Sequence, residues 1–214
     1  MNHYIFNEIP DYKMDGFCSV RSVYDNLINI LQVAEILLYY HDKRVQNTSN
    51  GFDLILFTSG ASRVIVRKKN GFNCMVMPFK VIEDGEVLSF VIEDFSEIVD
   101  GKFISIMKNA LNTVLKSGIS ADEIVIGISE SFGLDVAQSC RYCDIFFHLV
   151  SEDHGYFRFD DDAENENGNI HPRFHLDFFL KNSSTLKIGL DRQISLETVI
   201  SMFDPTRPKW YLRE

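Results

Sequence analysis

The segment RFHLDFFL at 173–180, preceded by YFRFD at 156–160 and followed by TLKIGL at 185–190, decides how the fold is read. With period two, Phe157, Phe159, Phe174, Leu176, Phe178, Leu186 and Ile188 fall on one side, and Arg158, Asp160, Arg173, His175, Asp177 and Lys187 on the other. Successive side chains alternate across a pleated strand, so this is the signature of a sheet with one apolar and one charged face. The spacing predicts a hairpin of the first two strands over the acidic, Asn-rich loop Asp160–Asn169, with the third strand beside them.

Working outward, four runs rich in β-branched and aromatic residues, at 52–58, 62–68, 72–81 and 86–92, predict an antiparallel meander with one buried side. Before them, Val20, Val23, Leu27, Ile30, Leu31, Ala34, Leu37 and Leu38 recur at helical spacing up to Tyr40, which predicts an amphipathic helix of about twenty residues. Residues 1–18 show no period and read as an irregular arm. Phe103, Ile106, Met107, Ala110, Leu111, Val114 and Leu115 predict a middle helix stopped by Gly118. The β-branched stretch Glu123–Ile128 reads as a strand despite Ser120-x-x-Glu123, a short helix is expected at 134–139, and Asp144–Val150 reads as a strand. Ser195 caps a final helix, Leu196–Phe203, ended by Pro205, and the aromatic tail Trp210-Tyr211-Leu212 is expected to dock. The expected fold is α+β: antiparallel sheet or sheets with a long N-terminal helix, a middle helix and a short C-terminal helix. We read 1–214 as a single domain, with 1–100 and 101–214 as its lobes if it divides.

Eighteen Phe, eight Tyr and one Trp in 214 residues are enough apolar surface for a core without disulfides. Four cysteines, Cys18, Cys74, Cys140 and Cys143, suit free thiols in a reducing compartment, so the expected location is the cytoplasm. The first twenty residues are interrupted by charges, which argues against a secretory leader, and the longest apolar run, Leu27–Tyr40, is short of the ~20 residues of a membrane span. A net charge of −10 repels phosphate backbones and favours a protein partner over nucleic acid.

The charged sheet face carries the main chemical candidates. Its cations, carboxylates and imidazole suit anion binding, a metal held through His175 and Asp177, or acid–base work; the plain alternative is a solvated face of cross-strand ion pairs. Cys140-x-x-Cys143 with His148 and His154 downstream has spacings that a tetrahedral zinc site can use, against two ordinary thiols at a helix end. Gly127-x-Ser129-x-Ser131 sits where a nucleophile elbow would, but Ser131 replaces the final glycine. The acidic run Asp160, Asp161, Asp162, Glu164, Glu166 beside His171 can gather a hard cation or simply keep a loop in water. His148 and His175 are two strand histidines without the following hydroxyl of a two-histidine phosphoesterase, and Arg63 with Arg67-Lys68-Lys69 offers a local basic patch.

Arg158-Phe-Asp160, then His171-Pro172-x-x-His175-Leu-Asp177 and a strand holding Lys187, resembles uncharacterised bacterial proteins encoded near restriction, toxin or phage-defence genes. The resemblance covers about the last sixty residues and implies a genomic setting rather than a reaction, so it assigns no residue a role. Two functions follow. The first is a non-enzymatic cytoplasmic interaction protein, an accessory or neutralising component of such a system. The alternative is a metal-assisted or phosphate-handling hydrolase in which His175, Asp177, Asp160 and Arg158 act and Arg173 and Lys187 contact the anion.

Overall fold

The computed structural model describes residues 3–48, 51–58, 62–85, 87–152, 155–179, 185–204 and 206–209. Among these the fold is α+β, with six α-helices and eleven antiparallel strands in two sheets. His154 and the Trp210-Tyr211-Leu212 tail lie outside the described residues.

The chain opens with a strand, β1 (His3–Phe6), and a helical turn, α1 (Asp11–Met14), where an irregular arm was expected. Four residues are too few to display a period, yet Tyr4, Ile5 and Phe6 are all buried. Helix α2 (Val23–Tyr39) begins at Ser22, whose hydroxyl accepts from the Asp25 amide, and spans 17 residues rather than about twenty. Then come β2 (Arg44–Val45), β3 (Leu54–Phe57), β4 (Arg63–Lys68) and β5 (Gly71–Val76). The single run expected at 72–81 is divided: after β5 the chain leaves the first sheet to form a smaller one from β6 (Lys80–Asp84), β7 (Val87–Ile92) and β8 (Glu97–Ile98).

Helix α3 (Gly101–Ser117) is capped by Asp100 and ends at Gly118, as its spacing predicts. Helices α4 (Ala121–Phe132) and α5 (Val136–Ser151) replace the two strands expected at 123–128 and 144–150. In α4, Ile124 and Ile128 lie four residues apart on the buried side, and Gly133, with φ +64°, ends the helix in the left-handed region. Gly127 brings α4 against α3: a Cβ there would meet Thr113 Oγ1 at 3.3 Å. β-branched residues lower helix propensity only slightly, and packing between α3 and α5 overrides that preference.

Strands β9 (Phe157–Asp161), β10 (Phe174–Phe179) and β11 (Thr185–Leu190) form the expected group, and α6 (Leu196–Phe203) follows from Ser195. The large sheet runs β11-β10-β9-β5-β4-β3-β1-β2, so β9 joins residues 157–161 to β5. Leu54, Leu56, Val64, Val66 and Met75 pack with α2 to α5 in one apolar cluster. Ile55, Phe57, Ile65, Cys74 and Phe157 pack with Val199 and Ile200 of α6 in another. The middle of the sheet is therefore buried on both faces, where one buried side was expected, and Val64, Ile65 and Val66 are all fully enclosed.

Candidate functional site

Two cross-strand rows build the polar site. Register places Lys68, Gly71, Asp160, His175 and Gly189 in one row, and Val66, Asn73, Arg158, Asp177 and Lys187 in the next. Both belong to the sheet face that α2 to α5 cover at β3–β5, and toward β9–β11 that face becomes charged. The alternation read from the sequence thus brings Arg158, Asp160, His175, Asp177 and Lys187 together.

Arg158 links the two carboxylates, with Nε 2.6 Å from Asp160 Oδ2 and a terminal nitrogen 2.7 Å from Asp177 Oδ2. Lys187 Nζ lies 2.8 Å from Asp177 Oδ1. Burial pushes the Asp177 carboxyl upward, but Lys187 and Arg158 outweigh it and hold the group below the usual carboxylate range. The Arg158 guanidinium is in turn held protonated against burial by Asp160 and Asp177.

His175 is almost sealed, with 1% of its side chain exposed. Its Nδ1 lies 2.7 Å from the Pro172 carbonyl oxygen, which only accepts, so Nδ1 donates and carries a proton. Nε2 faces Asp160 Oδ2 at 3.6 Å and Asp177 Oδ2 at 3.8 Å. Pro172 can sit so close because the residue beneath it is Gly189, where a Cβ would fall 2.7 Å from the proline ring. The ring of His171 packs edge-on to His175 at 4.9 Å, and its Nε2 lies 3.5 Å from both Asp162 Oδ2 and Lys187 Nζ.

A cleft of about 320 Å³ adjoins this cluster, lined by Ser19, Lys68, Lys69, Asn70, Arg158 and Asp160 to Asp162. Burial lowers the Lys68 ammonium from its ordinary range, with Asp160 opposing and Arg158 reinforcing the shift. Gly71 opens this side: its backbone lies at φ +146°, and a Cβ would collide with the Phe159 carbonyl at 1.9 Å.

Other sequence candidates disperse. Arg173 precedes β10, so strand parity no longer governs it; it pairs with Asp161 at 2.7 Å and covers the Phe174 ring rather than joining Lys187. Cys140, Cys143 and His148 all lie on α5, where the eight-residue step from Cys140 to His148 is about 12 Å of helix, too far for one ion. Cys143 Sγ faces the Ala121 carbonyl, and His148 packs against Phe95 with Asp94 at 3.8 Å. A helical His148 also removes the two-strand-histidine arrangement. Ser129 is helical and donates to Leu134 O, which removes the nucleophile elbow. The acidic run is divided among Arg158, Arg173 and the Asn165 and His171 contacts of Asp162. Of the basic patch, Arg67 is committed to buried Asp53 at 2.5 Å.

Sequence reading missed the two glycines and the Pro172 carbonyl; the signal was present in His171-Pro172-x-x-His175 and in Gly71 and Gly189 standing opposite Asp160 and His175.

A second feature lies on the small sheet. Leu88, Phe90 and Ile92 point into the core, while Ile82, Val87, Val91 and Ile98 occupy the outer face, Val87 52% and Ile98 64% exposed. Along the sequence, residues 80–100 carry seven carboxylates (83, 84, 86, 93, 94, 97 and 100) against the single Lys80, which stands opposite Val91 and pairs with Glu93, a net −6 of the chain's −10.

Among the described residues no helix is long and apolar enough to cross a membrane. Comparison with protein-family models, curated proteins and solved structures finds no match.

Proposed function

We propose that this chain is a non-enzymatic interaction protein of the cytoplasm that docks a basic protein partner on the outer face of the β6–β7–β8 sheet. The observation that carries this reading is the coincidence of an exposed apolar face, built by Ile82, Val87, Val91 and Ile98, with an acidic segment, residues 80–100, of net charge −6. Apolar surface rimmed by one sign of charge is the pattern of a binding patch: the centre supplies burial, and the rim steers a partner of opposite charge. The polar face of the large sheet supports the same choice over a hydrolase. Arg158 bridges both carboxylates and Lys187 pairs with Asp177, so neither stands as an unpaired general base. The resemblance of the last sixty residues suggests the setting, an accessory or neutralising role in a bacterial defence or toxin system.

The test is affinity capture from the native host with wild-type bait and with a Val87→Asp/Ile98→Asp variant, both positions being exposed enough to leave the fold intact. The expected result is a partner of basic isoelectric point, released by salt and lost at least about tenfold in the variant, whose melting matches wild type. Equal recovery by the variant, or an acidic partner, overturns the assignment.

A further inference from the structure

Asp160, His175 and Asp177 each present one ligand atom, and these atoms lie within 4.8 Å of one another. The orientation of the imidazole gives the grouping its meaning. Because Nδ1–H is spent on the Pro172 carbonyl, Nε2 is the ring atom turned toward Asp160 Oδ2 and Asp177 Oδ2, the two oxygens that Arg158 bridges. The observed separations of 3.6 and 3.8 Å are those of two atoms each about 2.1 Å from a common ion and subtending about 120–130° there. A histidine that donates its remote N–H to a backbone carbonyl is also the usual outer-shell support of a metal ligand.

We infer that Asp160, His175 and Asp177 form a three-ligand site for a first-row divalent cation, independent of the docking face proposed above. Two carboxylates and a neutral imidazole supply two negative charges and a mixed oxygen and nitrogen set, which favours Zn²⁺, Mn²⁺ or Fe²⁺ over Ca²⁺ or a thiophilic ion. Glycines 71 and 189 flank the row, and the cleft lined by Arg158 and Asp160 opens beside it. Arg158 is then the internal competitor: it neutralises the carboxylate oxygens when no ion is bound, and its side chain, 26% exposed, has solvent into which to withdraw. The cation would clamp β9 to β10 at the place where the sheet loses its helical cover.

The experiment strips the full-length protein with chelator and titrates it with Zn²⁺ by calorimetry and with Co²⁺ as a visible-absorption reporter. The expected result is one ion per chain. Asp160→Asn and His175→Gln should each weaken binding about a hundredfold, and Arg158→Gln should strengthen it about tenfold by removing the competing charge. If His175→Gln fails to fold by circular dichroism, Asp160→Asn and Arg158→Gln decide the matter, since both positions are partly open to solvent. Absence of binding at millimolar ion, affinity unchanged by Asp160→Asn, weaker binding by Arg158→Gln, or a thiolate-to-cobalt band that puts the ion on cysteine would each overturn the site.

Discussion

Cys140 is exposed on α5, Cys143 is buried one turn later, and Cys74 is enclosed in β5. Burial pushes the Cys143 thiol up to about 11 and that of Cys74 up to about 12. At pH 8 the reactive thiolate is then roughly one part in a thousand of Cys143 and one in ten thousand of Cys74, and burial also denies the reagent access. Alkylation of the native protein at pH 8 should therefore modify Cys140 fully before either buried thiol, with Cys143 and Cys74 reacting only on unfolding. Peptide mass spectrometry reads the order, and comparable early labelling of Cys74 would contradict its place in the core. The same pair shows what a spacing conceals: C-x-x-C looks alike on a zinc knuckle and on a helix, and only the backbone decides whether the thiols converge. Parity in the last third was informative because each step of a strand reverses the side chain, which made Arg158, Asp160, His175, Asp177 and Lys187 readable as neighbours. Arg173 shows the limit of that rule, which lapses one residue outside the strand.

The elements most easily read were those whose periodicity and caps agree. Helices α3 and α6 have an apolar stripe, a capping side chain and a clear stop, and the ladder β9–β10–β11 has strict alternation. Helices α4 and α5 lacked that agreement. Apolar residues at 145, 146, 147 and 149 satisfy both a strand and one side of a helix, and Ile124, Val125 and Ile126 bias a local reading toward strand. The mark of α5 lay at its start, where Asp135 accepts from the Gln138 amide at 2.8 Å while the Gln138 side chain accepts from the Asp135 amide. Two otherwise unpaired amides are satisfied by this reciprocal cap. Asp135→Ala should lower unfolding free energy by about 1 kcal/mol, measured by urea denaturation. A change near zero would mean that packing of Cys143, Ile145, Phe146 and Leu149 alone holds the first turn.

Across the whole molecule the apolar clusters divide by sheet face rather than by position in the chain: α2 to α5 cover one side and α6 the other. That arrangement left little trace in local sequence, since β1 is only four residues and a strand buried on both sides has no polar partner positions to reveal its pitch. The most distant adjacency in the large sheet is β5 with β9, joined only after some eighty intervening residues have formed the small sheet and three helices. Until residue 157 is available, β5 offers a row of unpaired backbone groups beside Phe72 and Cys74. Such an edge recruits whatever strand reaches it first. During synthesis, therefore, the nascent chain must wait for its own C-terminal third while exposing a sticky border. A fragment ending at residue 156 should sediment as aggregate when produced alone, whereas recovery of it as a monomer by size-exclusion chromatography would mean that another segment shields β5 in the interval.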